Sequence, residues 1–254
     1  MNQTLRQATI LARARDQGHV TVEDLAREMA VATQTVRRDL NMLCEQGALM
    51  RVHGGAVLPS GVANLAYETR RAMASDAKAA IGRECASLIP DGSTLFINIG
   101  TTTEAVARAL AQHRRLRVMT NNLNVASILA SHADCAVTVL GGDLRSTDNG
   151  LVGPLTQEAV LQYKADFAII GASAIDRDGE LLDFDSSEIG ISRTMLSRAR
   201  TTIAVADAEK FTRTAPVRIC SLNQLDHFVT DSTPPDEVVC QLESSATKLT
   251  CTML

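Results

Sequence analysis

Residues 21–57 read TVEDLAREMAVATQTVRRDLNMLCEQGALMRVHGGAV, and the order of elements written there decides what the N-terminal part of the chain is. Thr21 offers a capping hydroxyl, with Asp24 as an acidic partner three residues on. Val22, Leu25, Ala26 and Met29 then recur at the spacing of one buried helix face. Ala30–Thr33 make a short turn, of the length a helix-turn-helix requires. In the helix that follows, Val36, Leu40 and Leu43 form an inward stripe, and Gln34, Arg37, Arg38 and Asn41 form the opposite one. Each of these four donates hydrogen bonds and two are cationic. That suits a helix in a major groove, where Arg pairs with guanine edges, Gln or Asn with adenine, and either can hold phosphates. Gly47 closes the helix. Leu49 and Val57 flank a polar tip with Gly54-Gly55 as its turn, which reads as a β-hairpin wing carrying Arg51 and His53. Upstream, residues 4–17 form a helical pattern with Ile10, Leu11 and Ala14 inward and Gly18 as its stop.

The whole-chain composition bounds the rest. With 254 residues and 45% apolar content, the chain holds one large domain, or a small one and a medium one. Aromatics are 3% and Trp is absent, so the cores must be packed with Ala, Val, Leu and Ile. No run of about 18 apolar residues occurs, and the first residues lack the pattern of a secretion signal. Cys44, Cys85, Cys135, Cys220, Cys240 and Cys251 are scattered with no Cys-x-x-Cys pair, which fits reduced thiols and neither a zinc site nor a disulfide framework. The expectation is a cytoplasmic protein with no metal, no cofactor and no membrane partner. The net charge of −4 does not announce a nucleic-acid binder. Residues 1–57 hold seven arginines against six acids, a net of +1, and the remainder carries −5. Arg37 and Arg38 also fit the solvated face of a three-helix bundle. What is specific is the order helix, helix, short turn, basic helix, glycine, basic hairpin.

Beyond residue 57 the expected organisation is a linker over 58–75, an α/β domain over 76–233 and a tail over 234–254. Strand patterns at 93–100, 116–120, 135–142, 167–173, 201–207 and 227–231 alternate with helical ones, which predicts a mostly parallel sheet covered by helices. Ligands collect at the C-terminal ends of such strands, and polar clusters fall there. Asn98 to Thr103 is the fullest of them. Gly100 lets the backbone approach closely, and Thr101, Thr102 and Thr103 bring hydroxyls and helix N-terminal N–H groups suited to an anion such as phosphate. The others are Thr120-Asn121-Asn122, Gly141 to Arg145, Gly171 to Ser173 and Asp207 to Lys210. Any one of them fits a turn or a helix cap; their recurrence at equivalent strand ends points to a site. The tail begins with a Pro-Pro stretch that can start a helix, with Val238, Val239 and Leu242 to pack it, and its last ten residues carry no assignment.

The run quoted above resembles the DNA-binding domain of the DeoR family of bacterial repressors. That family carries T-[IV]-R-R-D-L on the recognition helix and a wing ending H-G-G-A, and Thr35 to Leu40 and His53 to Ala56 match both residue by residue. The resemblance adds Thr35 to the DNA-contacting set. One departure is Ala32, where the family commonly has a capping Ser; alanine at that place costs about 0.5–2 kcal/mol, and Thr33 is expected to take over the cap. The blocks DGSTLFINIGTTTEAVARAL, LRVMTNNLNVA, GGDLRSTDNGLVG and DGELLDFDSSE extend the resemblance over nearly the full chain. It implies an effector domain similar to ribose-5-phosphate isomerase. The function implied is a repressor of a carbon-catabolism regulon, bound to double-stranded operator DNA and released by a phosphorylated metabolite. Glycerol 3-phosphate is the leading inducer so implied; other sugar phosphates stay open. Asn121, Asn122 and Arg145 are then expected at the ligand's hydroxyls or phosphate rim, Lys210 at its charge, and Asn98 among the effector-binding residues. The family usually has Asp at Asn98 and often Gly at Ala174, which touches the ligand's fine contacts. A homotetramer or homodimer is expected. The rival is a sugar-phosphate isomerase with Asp176, Asp183, Asp185 or Glu188 as its base, for which a winged helix-turn-helix has no use.

Overall fold

A computed structural model describes residues 3–17, 19–46, 48–52, 54–57 and 67–252, and the chain divides into two units, Met1–Ala72 and Met73–Leu254. The first contains α1 (Gln3–Gln17), β1 (His19–Thr21), α2 (Val22–Glu28), α3 (Thr33–Glu45), β2 (Met50–Val52), β3 (Gly55–Val57) and α4 (Tyr67–Ala72). Thr21 opens α2 as expected: its hydroxyl accepts from the Asp24 amide at 3.1 Å and donates to the Asp24 carboxylate at 2.7 Å. Ile10, Ala14, Val22, Leu25, Val36, Leu40, Leu43 and Leu49 form one apolar core beneath the helices.

The start of α3 differs from expectation. Ala32 itself is the N-cap, without a side-chain hydrogen bond, and Thr33 is the first helical residue rather than a substitute cap. The helix begins there because packing outweighs one missing cap: Val36 and Leu40 are fully buried, and the turn before it is closed by the Val31 amide on the Ala26 carbonyl at 3.1 Å. A buried acid sits on the inward stripe as well. Asp39 is 1% exposed and accepts from Arg6 Nε at 2.8 Å and Arg6 Nη2 at 3.4 Å, so α1 grips α3 by a two-pronged ion pair. The wing is a three-stranded sheet in the order β1-β3-β2, antiparallel throughout. Gly55 is required by β1: a Cβ there would lie 2.1 Å from the Val20 carbonyl oxygen.

The second unit contains α5 (Ser75–Ser87), β4 (Thr94–Ile97), α6 (Thr101–Ala109), β5 (Leu116–Thr120), α7 (Leu123–Ala130), β6 (Cys135–Val139), β7 (Asp143–Arg145), β8 (Gly150–Val152), α8 (Pro154–Leu161), β9 (Ala165–Ile170), β10 (Ala174–Ile175), β11 (Glu180–Asp183), α9 (Ser186–Ser197), β12 (Ala199–Val205), β13 (Val217–Ser221), β14 (His227–Thr230), α10 (Asp236–Glu243) and β15 (Lys248–Cys251). Seven strands in the order β15-β14-β12-β9-β4-β5-β6 form one sheet, and every neighbouring pair is parallel. Its strands send alternate residues to two cores. Leu95, Ile97, Val118, Ile203 and Val229 meet α5, α6 and α7 on one face. Phe96, Met119, Ala168 and, further along, Ala204 and Phe228 meet α8, α9 and α10 on the other. Burial on both faces is why these strands read as short apolar runs. Cys85 and Cys220 are buried in these cores, and burial pushes both thiols up to about 12, as inert packing residues require.

Two segments depart from the sequence reading. The strand expected over 135–142 is shorter: β6 ends at Val139, and within the polar cluster that follows it β7 pairs with β8 as a separate antiparallel hairpin that carries Arg145. The segment set apart as a tail belongs to the sheet. In it α10 buries Val238 and Leu242, and β15 pairs with β14 at the edge. Thr247 ties the connection down by donating to the Leu222 and Leu225 carbonyls at 3.0 and 2.7 Å. Four residues, KLTC, are too few to display a strand period. Leu242→Ala is therefore expected to destabilise the second unit by about 2–4 kcal/mol in urea unfolding, a loss no solvated tail would give.

Candidate functional site

On α3 the residues expected to read DNA stand apart from the core. Gln34, Arg37, Arg38 and Asn41 are exposed and Thr35 is half-buried, while Val36, Asp39, Leu40 and Leu43 face inward. Among the described residues Arg37 and Arg38 form no ion pair, whereas Arg6, Arg13 and Arg27 of the same unit all do. Two bare guanidiniums side by side on a helix are a ready counter-charge for a phosphate backbone. Arg51 lies on β2, paired across the hairpin with Ala56; His53 lies outside the described residues.

In the second unit, chain direction locates the site. From β4 the chain steps to β5 and β6 on one side, then returns to β9 on the other side and continues to β12, β14 and β15. The reversal falls between β4 and β9, and it opens a crevice beyond their C-terminal ends. Asn98 follows β4 there at 1% exposure. Its Oδ1 accepts from the Gly171 amide at 3.0 Å, and its Nδ2 donates to Ser192 Oγ at 3.2 Å and the Gly171 carbonyl at 3.5 Å. The amide of Asn98 is thus engaged as a tie between β4, the end of β9 and α9. Gly100 has φ 157° and ψ 149°, a conformation essentially reserved for glycine. It aims the first turn of α6 at the crevice, with Thr101 and Thr102 at 6% and 4% exposure. Thr103 turns back, donating to the carbonyls of Asn98 at 2.9 Å and Gly100 at 2.8 Å.

Asn121 and Asn122, at the end of β5, are fully buried. Asn121 Nδ2 donates to the Leu151 carbonyl at 3.0 Å and its Oδ1 has no partner among the described residues. Asn122 Oδ1 caps α7 by accepting from the Asn124 amide at 2.9 Å, and its Nδ2 likewise has no partner. A buried unpaired amide group costs about 1–3 kcal/mol, so two in succession mark a place where hydrogen-bonding capacity is held in reserve. Lys210 is 5% exposed in the 3-10 turn Ala208–Thr212 that follows β12.

Arg145 is not an open cation. Its guanidinium donates to Asp148 at 2.9 and 2.8 Å, to Asp185 at 2.6 Å and to Glu188 at 2.5 Å. That assembly pins the β7–β8 hairpin to the start of α9. It runs on around the crevice, because Asn124 Nδ2 donates both to the Asp148 carbonyl at 3.2 Å and to Glu104 at 3.0 Å. Burial works against the charge of Arg145, but its bonds to Asp148 and its close contact with the Glu188 carboxyl more than offset this and keep it firmly protonated. Burial, then the charge of Asp183, pushes Glu188 up to about 8, so it meets Arg145 as a neutral acceptor. Asp185, despite partial burial, is held below the usual carboxylate range by the Ser187 hydroxyl and amide and then by Arg145.

The expected effector residues are therefore sorted. Gly100 to Thr103 and Asn98 meet at the reversal; Asn121 and Asn122 lie beside the β7–β8 hairpin through the Asn122–Gly150 bridge; Arg145 is enclosed by carboxylates, and Lys210 stands two strands from β4. Nothing in the sequence pattern marks Asp148, Glu104 or Ser192, and only the acidic run at 183–188 signals the cluster. Asp176, offered as a base for an isomerase, instead closes the turn between β10 and β11 by accepting from the Asp178 and Glu180 amides at 3.1 and 2.9 Å.

Residues 6–62 match the DeoR-like helix-turn-helix domain and residues 73–232 the DeoR C terminal sensor domain. The chain is similar to the glycerol-3-phosphate regulon repressor of Escherichia coli (strain K12), at 44% identity over 94% of this chain and 95% of that one. It is similar at 42% to the repressor of the same description from Haemophilus influenzae, over 98% and 97%. The HTH-type transcriptional repressor CsqR of Escherichia coli (strain K12) is also 42% identical, over 91% and 88%. Among solved structures, the ribose 5-phosphate isomerase A of Methanocaldococcus jannaschii aligns over 54% of each chain at 15% identity and a TM-score of 0.41, which adds nothing to the fold read from the sheet.

The raised Glu188 carboxyl gives a pH test. From its ordinary 4.5 to about 8 the folded state holds a proton that the unfolded state has lost. Stability from this group is full below the lower value and is lost as pH rises through the upper one. Glu188→Gln keeps a neutral acceptor, so its melting temperature relative to the parent is expected to climb between about pH 5 and 8 and to level off above about pH 9. A pH-independent difference would show that Glu188 is ionised throughout.

Proposed function

The chain belongs to the DeoR family of transcriptional regulators, and from that premise we propose that glycerol 3-phosphate is the metabolite that releases it from its operator. The chain is a DNA-binding repressor with a small-molecule effector, and it is a regulator rather than an enzyme. What carries the choice of metabolite is near-full-length similarity to glycerol-3-phosphate regulon repressors from Escherichia coli and Haemophilus influenzae. In this reading the phosphate sits on the first turn of α6, against Gly100, Thr101 and Thr102, where helix N–H groups and hydroxyls favour an anion. The unpaired amide atoms of Asn121 and Asn122 take the ligand's hydroxyls, and Lys210 adds positive charge. Arg145 contributes through the carboxylates it holds in place.

Gln34, Thr35, Arg37, Arg38 and Asn41 read the operator, with Arg51 and His53 of the wing on the backbone. The protein acts in the cytoplasm as a homodimer or homotetramer, because palindromic half-sites are read by paired recognition helices. Effector binding then alters the relation of the paired helices, which requires that it favour one arrangement over the other.

Two variants test the two halves, with a duplex that the parent selects from a random-sequence pool. Arg37→Ala, Arg38→Ala should weaken duplex binding and flatten its log–log salt dependence by about 0.9 for each phosphate that is no longer neutralised, while thermal stabilisation by glycerol 3-phosphate stays unchanged. Thr101→Val, Thr102→Val should leave duplex binding intact and weaken the metabolite's effect by about tenfold or more, as removal of charge-assisted hydrogen bonds predicts. An unchanged metabolite response in the threonine variant would remove the phosphate from α6.

A further inference from the structure

The chain enters the second unit through a strained residue that is fastened from two sides. Ala74 precedes α5 at φ 49° and ψ 39°, a left-handed conformation that is strained for a non-glycine residue. Such a conformation persists where its surroundings hold it. Here Lys78, 4% exposed, donates its ammonium to the Met73 carbonyl at 2.7 Å, and its amide bonds the Ala74 carbonyl at 2.9 Å. From the other side Arg213 Nη2 reaches the Met73 sulfur at 3.8 Å while donating to Glu209 at 2.9 Å.

Arg213 follows directly on the 3-10 turn Ala208–Thr212, which carries Lys210. That turn is firmly seated. The Ala208 amide donates to Asp231 at 2.7 Å, and Phe211 stacks edge-on to the fully buried Phe228 with ring centroids 6.2 Å apart. Lys210 and Arg213 lie on one short segment, so a shift of the first carries the second. Met73 is the residue that follows α4 in the chain, at the boundary between the two units.

We propose that Arg213 and Lys78 are positioning residues for the regulatory response: Lys78 fastens Met73 and the strained Ala74 to α5, and Arg213 fastens Met73 to the turn that carries Lys210, so that an effector at Lys210 acts on the chain leading to the DNA-binding unit. This rests on the reading above that the effector meets Lys210. Neither residue touches effector or DNA. Their loss separates the two binding events without abolishing either.

The test uses the full chain, the parent-selected duplex and glycerol 3-phosphate, with Arg213→Met and Lys78→Met beside the parent. Duplex affinity is measured with and without the metabolite, and metabolite binding separately by calorimetry. Both variants should bind duplex and metabolite within about threefold of the parent, while metabolite-induced weakening of duplex binding, about tenfold in the parent, falls below about threefold. Release as complete in both variants as in the parent would overturn the coupling. A parent that fails to bind glycerol 3-phosphate would instead mean that the effector reading is wrong. The same comparison is then made with whichever phosphorylated C3 to C6 compound stabilises the parent, and the same two outcomes decide. Arg213 is the safer of the two changes, with a side chain 20% exposed, and it decides alone if Lys78→Met does not fold.

Discussion

The organisation of the sensor unit depends on one topological event, the reversal of strand order between β4 and β9. In an all-parallel sheet every C-terminal strand end points the same way, and only at such a reversal do the connecting loops part to leave a crevice. The Asn98 amide spans that parting by accepting from Gly171 and donating to Ser192. Around it a polar ring follows the loops: Thr103 on Asn98, Glu104 and Asn124 on one side, Asp148, Arg145 and Glu188 on the other. A ring so thoroughly cross-bonded can hold charges away from water because each member has a partner, and the unpaired amide atoms of Asn121 and Asn122 stand out against it.

The Arg145 assembly shows how far position in a fold can change the meaning of a side chain. An arginine after a strand end suggests an anion contact. In place, it is surrounded by three carboxyl groups, Asp148 from the hairpin and Asp185 and Glu188 from the start of α9, and its charge is spent on joining a hairpin to a helix. With Arg145 already satisfied by Asp148 and Asp185, the additional carboxyl of Glu188 is easier to bury as an acid than as an anion.

Much of this was legible in one chain. The helix-turn-helix could be read because cap, spacing and turn length agree at Thr21, Leu25 and Val36, and the parallel sheet because buried strands such as LFIN and FAII stand between helices of regular length. The glycine and threonines at the start of α6 were legible too, since they follow a strand directly. What escaped had physical reasons. Asp39 looks like one more surface charge until Arg6, 33 residues away, comes to meet it. β15 is too short to display a period, and β7 too close to β6 to be told from its continuation. The partners of Arg145 lie up to 43 residues from it, a pairing that only the folded chain brings about.

The Arg6–Asp39 pair has a bearing on how such a protein can change. Asp39 grips α1 from the back of α3, while Gln34, Arg37, Arg38 and Asn41 occupy its front. The helix is held by one set of residues and carries those proposed to read DNA on another, alternating along the same two turns. Substitutions on the front leave the grip untouched, so sequence preference can drift from one operator to another without eroding the domain that presents it. A scaffold built this way tolerates the duplication and divergence of its targets: the address can be rewritten while the holder stays the same.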